Sequence, residues 1–263
     1  ERLLLSNQFP LINTSAGTNF YAAWYGCSSL TSFPLINTAA GTNFQSGWAG
    51  CSSLTSFPLI NTAAGTNFQS GWNACSSLTS FPLINTAAGT SFYSAWFGCS
   101  SLTSFPLINT AAGTNFNAAW QGCSSITSFP AAMFDSCPAT NFTNAFQNCA
   151  LSQASVDGIL ASLVKANKPD GKLNMQGGTS STPSAAGLAS KATLVSRGWT
   201  VNITKDAMTI YTNLTIILPA AAQALAQGLC VAAAGEAGAG MFITGLSATG
   251  EAPATHFISS GAV

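Results

Sequence analysis

The chain has 263 residues, no net charge, and 5% charged against 47% hydrophobic residues. That balance excludes an intrinsically disordered chain, which combines low hydrophobicity with high charge, and it provides no basic or acidic field for nucleic acid or an anionic membrane. The few charges are segregated, because after Arg2 the next ionised side chain is Asp135.

The charge-free stretch is repetitive. Phenylalanine before proline recurs at Phe9, Phe33, Phe57, Phe81, Phe105 and Phe129, a period of 24 residues. A second phenylalanine (20, 44, 68, 92, 116), a tryptophan (24, 48, 72, 96, 120) and a cysteine (27, 51, 75, 99, 123) keep the same period. A degenerate sixth copy carries Phe142, Phe146 and Cys149, shifted by two residues inserted near "AAMFDSC". A fixed period of this length signals a stacked repeat architecture.

Within one copy, "GTNFQSGWAGC" puts Phe44, Trp48 and Cys51 at i, i+4 and i+7, one face of a short helix capped by Thr42 or Asn43. The following "SSLTSFPLI" reads as an extended stretch with Leu54, Phe57 and Ile60 turned inward, kept short because Pro58 lacks a ladder donor. Copies with one short strand and one short helix are expected to stack at about the 4.8 Å strand spacing. The aromatic and cysteine columns then become core.

These residues carry a resemblance. "W-x-G-C-S-S-L-T-S-F-P", repeated through residues 6–149, resembles the BspA-like branch of leucine-rich repeats, although "FPLI" stands where many relatives have an Ile-x-Ile-Pro pattern. The resemblance implies an α/β solenoid, a right-handed leucine-rich-repeat-like coil with short parallel strands and short helices. It also implies attachment, since such solenoids occur on bacterial surface proteins and in tailed-phage virion proteins.

Candidate chemistry is sparse. Of eight cysteines, six share one column, where parallel side chains rarely meet bridging geometry, so reduced thiols acting as small buried hydrophobes are expected. A 24-residue spacing without histidines gives no tetrahedral zinc set. His256 is the only histidine, no carboxylates are usefully paired, and the glycine-rich "GEAGAGMF" follows an alanine-rich stretch and links no strand to a helix. No catalytic residue, metal or cofactor is predicted, and a non-enzymatic protein is expected.

Positions that vary between copies mark the outside. After the second phenylalanine they are Tyr21, Gln45, Gln69, Tyr93 and Asn117; after the tryptophan they include Tyr25, Asn73, Phe97 and Gln121. This row of aromatics beside amides is the candidate ligand surface for a cell-surface glycan or protein. A rival reading uses the threonine columns (Thr38, Thr62, Thr86, Thr110 and Thr42, Thr66, Thr90, Thr114) as a flat ice-binding array, although they flank "AAG", which reads as a corner.

Beyond residue 149 the pattern changes. Residues 150–204 read as an α/β cap of two helices and two short strands: a helix in "SVDGILASLVKA" capped by Ser155, a strand in "KLNMQGGT", a helix after Pro183 that stops at Gly198, and a strand in "WTVNIT". This run resembles the ending of leucine-rich repeat proteins of tailed phages. Residues 205–263 read as a small α+β module, with a strand in "MTIYTNLTIILP", a helix in "AAAQALAQGLCVAAAG" and two strands around a final loop. That segment resembles small phage-encoded proteins, and Met208 is a possible internal start. Residues 216–234 lack charge, but Pro219, Gln223, Gln227 and Gly228 count against a membrane span.

The chain enters in mid-repeat, so the expectation is either a fragment or processed product or a partner that covers the first copy, within a homo-oligomer or larger assembly. The functional expectation is a virion surface protein, a tail fibre or similar, for host attachment or assembly. A bacterial adhesin and a purely architectural decoration stay open beside it.

Overall fold

The structure, a computed structural model, describes residues 13–203 and three later strands. Residues 1–205 and 206–263 form two compact units, each treated by itself.

In the first unit the copies lie in register, one level above another. Parallel bridges join Asn19 to Asn43, Asn43 to Asn67, Asn67 to Ser91, Ser91 to Asn115 and Asn115 to Asn141. Three aromatic files run through the core. Trp24, Trp48, Trp72, Trp96, Trp120 and Phe146 stack face to face with centroids 5.1–5.7 Å apart. Phe20, Phe44, Phe68, Phe92, Phe116 and Phe142 do the same at 5.0–5.5 Å. The third file, Phe33 to Phe129, meets the tryptophans edge-on, with Phe57 between Trp48 at 4.8 Å and Trp72 at 5.3 Å. Both geometries suit the ring quadrupole, and burial of each ring adds roughly 1.5 to 3 kcal/mol. Leu54, Phe57 and Ile60 are buried, as their spacing predicts.

The segment read as a helix is not one. Residues 44–51 form consecutive turns, closed by Gly47 N–H to Phe44 O, Ala49 N–H to Ser46 O and Cys51 N–H to Trp48 O. The alternate donors Phe44, Ser46, Trp48 and Gly50 reach instead to the carbonyls of Asn67, Gln69, Gly71 and Asn73 in the next level. A helix would consume those groups internally, whereas the turns lend half of them to the neighbouring copy. The turns demand positive φ at Ser46 (54°) and Gly50 (77°), and every complete copy repeats it. The "SSLTSFPLI" stretch is also less regular than a strand. It bonds through bridges such as Ser32 to Ser56 and through Thr55 N–H to Thr31 O, because Pro58 supplies no donor.

The "AAG" corner has a packing reason. A Cβ on Gly65 would lie 2.6 Å from the Phe68 ring and 2.9 Å from Phe44, so the inner phenylalanine file presses against bare backbone. Thr62 is fully buried and its hydroxyl donates to Asn85 O, a bond repeated by Thr38 to Asn61 and Thr86 to Asn109. Thr38, Thr62, Thr86 and Thr110 are therefore interior residues, and half of the threonine array of the rival ice-binding reading is removed from the surface.

The wall continues into the two-helix region. Strand β1 (Asn141–Phe142) pairs in parallel with β2 (Lys172–Met175), and β2 with β3 (Thr200–Ile203). The donors left over by the last repeat level, Phe146 and Asn148 N–H, find Asn174 O and Gln176 O. Between the strands run α1 (Gln153–Ala166) and α2 (Ala185–Ser196), which pack on each other. The cap of α1 is Ser152, not Ser155. Ser155 is buried, where its hydroxyl donates to Thr127 O and accepts from Phe129 N–H. Pro183 precedes the Ser184 cap of α2, and Gly198 follows the helix at φ +85°. Trp199 closes the phenylalanine file by stacking on Phe142 at 6.2 Å.

In the second unit, β4 (Leu229–Ala232), β5 (Met241–Leu246) and β6 (His256–Ile258) form an antiparallel sheet. Strand β4 lies inside the stretch expected to be helical, so pairing with β5 overrides the helix propensity of its alanine-rich surroundings. The expected strand at 208–219, with Met208 and Pro219, and Gln223, Gln227, Gly228 and the entry through Pro10 lie outside the described residues.

Candidate functional site

The turn wall sets where the variable residues point. Phe44 and Trp48 enter the core from it, and Gln45 lies on its outer side. Tyr21 is 57% exposed, Tyr25 68%, Tyr93 38% and Phe97 36%, so the aromatic members of the row face solvent in pairs. Gln45, Gln69, Asn73, Asn117 and Gln121 are half-buried. The pairs share a level through turn geometry and not a helix face, since residues four apart align in either conformation.

Hydrogen bonds order the amides. Asn43 and Asn67 Oδ1 accept from the N–H of Gln45 and Gln69, and Asn67 Nδ2 donates to Gln45 Oε1 at 3.1 Å. Gln121 Nε2 donates to Gln147 Oε1 at 2.7 Å. Between the aromatic levels the wall is low, because Gly47, Ala49 and Gly71 are buried and reach little beyond the backbone.

The register extends the row past the residues that the repeat pattern singles out. Phe142 pairs with Leu173, and Asn174 with Asn202, which brings Thr143, Asn174 and Asn202 around a depression of about 330 Å³ with Lys172 and Thr200 at its edge. A different row was also hidden. Leu35, Leu59, Leu83 and Leu107 are 53–70% exposed, one per level, between the inward Phe57 and Ile60 and their equivalents. The signal was a large apolar residue flanked by two core positions, which no single period separates from the core.

The thiols are chemically quiet. From Cys51 onward each column sulfur donates to a tryptophan carbonyl one level back, as Cys75 Sγ does to Trp48 O at 3.2 Å. Burial pushes Cys51, Cys99 and Cys149 up to about 12, and Cys75 and Cys123 are driven up by the same cause with neighbouring thiols adding to it. All seven described cysteines are free thiols. Among the described residues no group of three His, Cys, Asp or Glu is placed to hold a metal ion, and no helix is long and apolar enough to cross a membrane. Asp135, the first carboxylate among the described residues, is held below its usual range by the Lys165 ammonium 2.6 Å away and by the Ser162 hydroxyl. Set against known proteins, the chain matches no family model, no curated protein and no solved structure.

Proposed function

We propose that this chain is a non-enzymatic virion surface protein, a tail fibre or similar component, built as a right-handed leucine-rich-repeat-like solenoid for host-surface attachment. One observation carries the reading: a stacked, uncharged core repeats level after level while its outer wall varies among uncharged side chains, aromatic at Tyr21, Tyr25, Tyr93 and Phe97 and amide or small elsewhere. An inert scaffold with a variable neutral display suits recognition better than chemistry. The leucine row supports the assembly side of the same reading, as a strip of exposed apolar side chains along one line.

Antibodies against the purified chain test it by immunogold microscopy. Labelling of phage particles supports the virion reading, and labelling of bacterial envelopes replaces it with the adhesin. The purified chain is also expected to bind whole bacterial cells; a chain that labels particles but binds no cell leaves only the architectural role.

A further inference from the structure

We infer that the turn wall holds a trough for an uncharged linear polysaccharide lying along the stacking direction and gripped by aromatic rungs at both ends. The inference rests on the attachment reading and gives that surface a ligand class. One rung is Tyr21 with Tyr25, the other Tyr93 with Phe97, and all four rings are exposed. Three levels separate them, about 14 Å at the strand spacing, which is the length of a short oligosaccharide. In this row the two intervening levels carry no aromatic side chain, with Gly47, Ala49 and Gly71 buried and Gln45, Gln69 and Asn73 half-buried. The result is a low floor lined by amides between raised aromatic edges.

Charge selects the occupant. No ionised side chain lies between residues 3 and 134, so an anionic or cationic polymer gains no ion pair here and loses hydration. Ring faces offer sites for the C–H faces of sugars, and amides both donate to and accept from hydroxyls. A single ligand that spans both rungs also explains why aromatic residues recur three levels apart and not on successive levels.

The test measures binding of the full chain to soluble neutral glucan, mannan and galactan, with alginate as the charged comparison, and to whole bacterial cells before and after periodate oxidation of their sugars. Four variants are compared with the wild type: Y21A/Y25A, Y93A/F97A, all four changes together, and N73W, which fills the floor and leaves both rungs intact. The expected result is binding to a neutral polymer or to periodate-sensitive cell sugars, reduced at least tenfold by either double variant and by N73W, with the quadruple variant little weaker than either double. Losses that add across the two rungs, unchanged binding in the quadruple variant, preference for alginate, or cell binding that survives periodate would overturn the trough and leave the attachment reading standing. Absence of binding to every polymer and every cell would overturn both.

Discussion

The repeat levels and the two-helix region extend one wall by different means. In the repeats each level donates its alternate N–H groups to the next and needs no helix and no charge. From residue 141 onward the same wall is made of true parallel strands, the return path is helical, and Asp135 pairs with Lys165 beside α1. The difference teaches that stacking, and not local propensity, decides backbone conformation where a neighbour of identical sequence is always present. Where the neighbour differs in sequence, capped helices return.

The largest expected effect separates the two regions by pH. Cys51, Cys99 and Cys149 have folded pKa values pushed up to about 12, well above the ordinary thiol range, because burial disfavours the thiolate. A raised folded value means that the stabilisation is complete below pH 9 and is lost as pH climbs towards 12. Cys75, Cys123 and Cys137 are raised by the same burial, so the repeat core as a whole is expected to lose stability steadily as pH rises through that window. Denaturant unfolding followed by tryptophan fluorescence at pH 8, 9, 10 and 11 is expected to show this decline. C99A is expected to make the decline shallower by removing one of these groups. The cap helices α1 and α2 contain no cysteine, so a stability independent of pH between 9 and 11 would mean that the thiol column is not buried as described.

A second experiment asks how much the tryptophan file contributes. Trp48, Trp72, Trp96 and Trp120 are fully buried, yet none of the four indole Nε1–H groups has a hydrogen-bond partner. An unsatisfied buried donor costs about 1 to 3 kcal/mol, so the file exists in spite of that group and because of its ring area. W72A is expected to lose about 3 to 5 kcal/mol. W72F removes the orphan donor together with part of the ring and is expected to cost far less, as the chain itself already places Phe146 at this position on the wall's last repeat level, 5.2 Å from Trp120. Equal losses for W72A and W72F in equilibrium unfolding would show that the indole makes a bond essential to the fold.

These two regions were unequally legible in the sequence. The core columns were readable because a period of 24 repeats the same burial decision at every level, and one misreading would have to recur in all of them. The local conformation was not. Phe44 and Trp48, four residues apart, face inward on a helix and equally on a ladder of turns, and only the bonds to Asn67 and Gly71 distinguish the two. The burial of Thr62 and the exposure of Leu59 were hidden for a related reason. A buried hydroxyl is tolerable when the neighbouring copy always presents Asn85 O, and an exposed leucine is tolerable one per level. The aromatic members of the candidate row were legible by variation alone, whereas Thr143, Asn174 and Asn202 belong to it only through pairing across the repeat boundary.

The smallest effects come from small residues and have opposite signs, which makes them the sharpest probe of the turn wall. Gly65 is fixed by space, because an added methyl would press on the rings of Phe68 and Phe44 inside the core. G65A is therefore expected to lose about 1 to 3 kcal/mol through overpacking. Ala74 stands at φ +57°, where the neighbouring levels have Gly50 (φ 77°) and Gly98 (φ 70°), so its side chain strains a left-handed backbone. A74G relieves about 1 kcal/mol of that strain and is expected to stabilise the chain, even though glycine costs more entropy on folding. If the segment were the helix that its spacing first indicates, glycine at position 74 would destabilise by about 1 kcal/mol. The sign of one substitution, measured as a shift in the urea midpoint, thus decides between turn and helix for a segment whose inward face is identical in both.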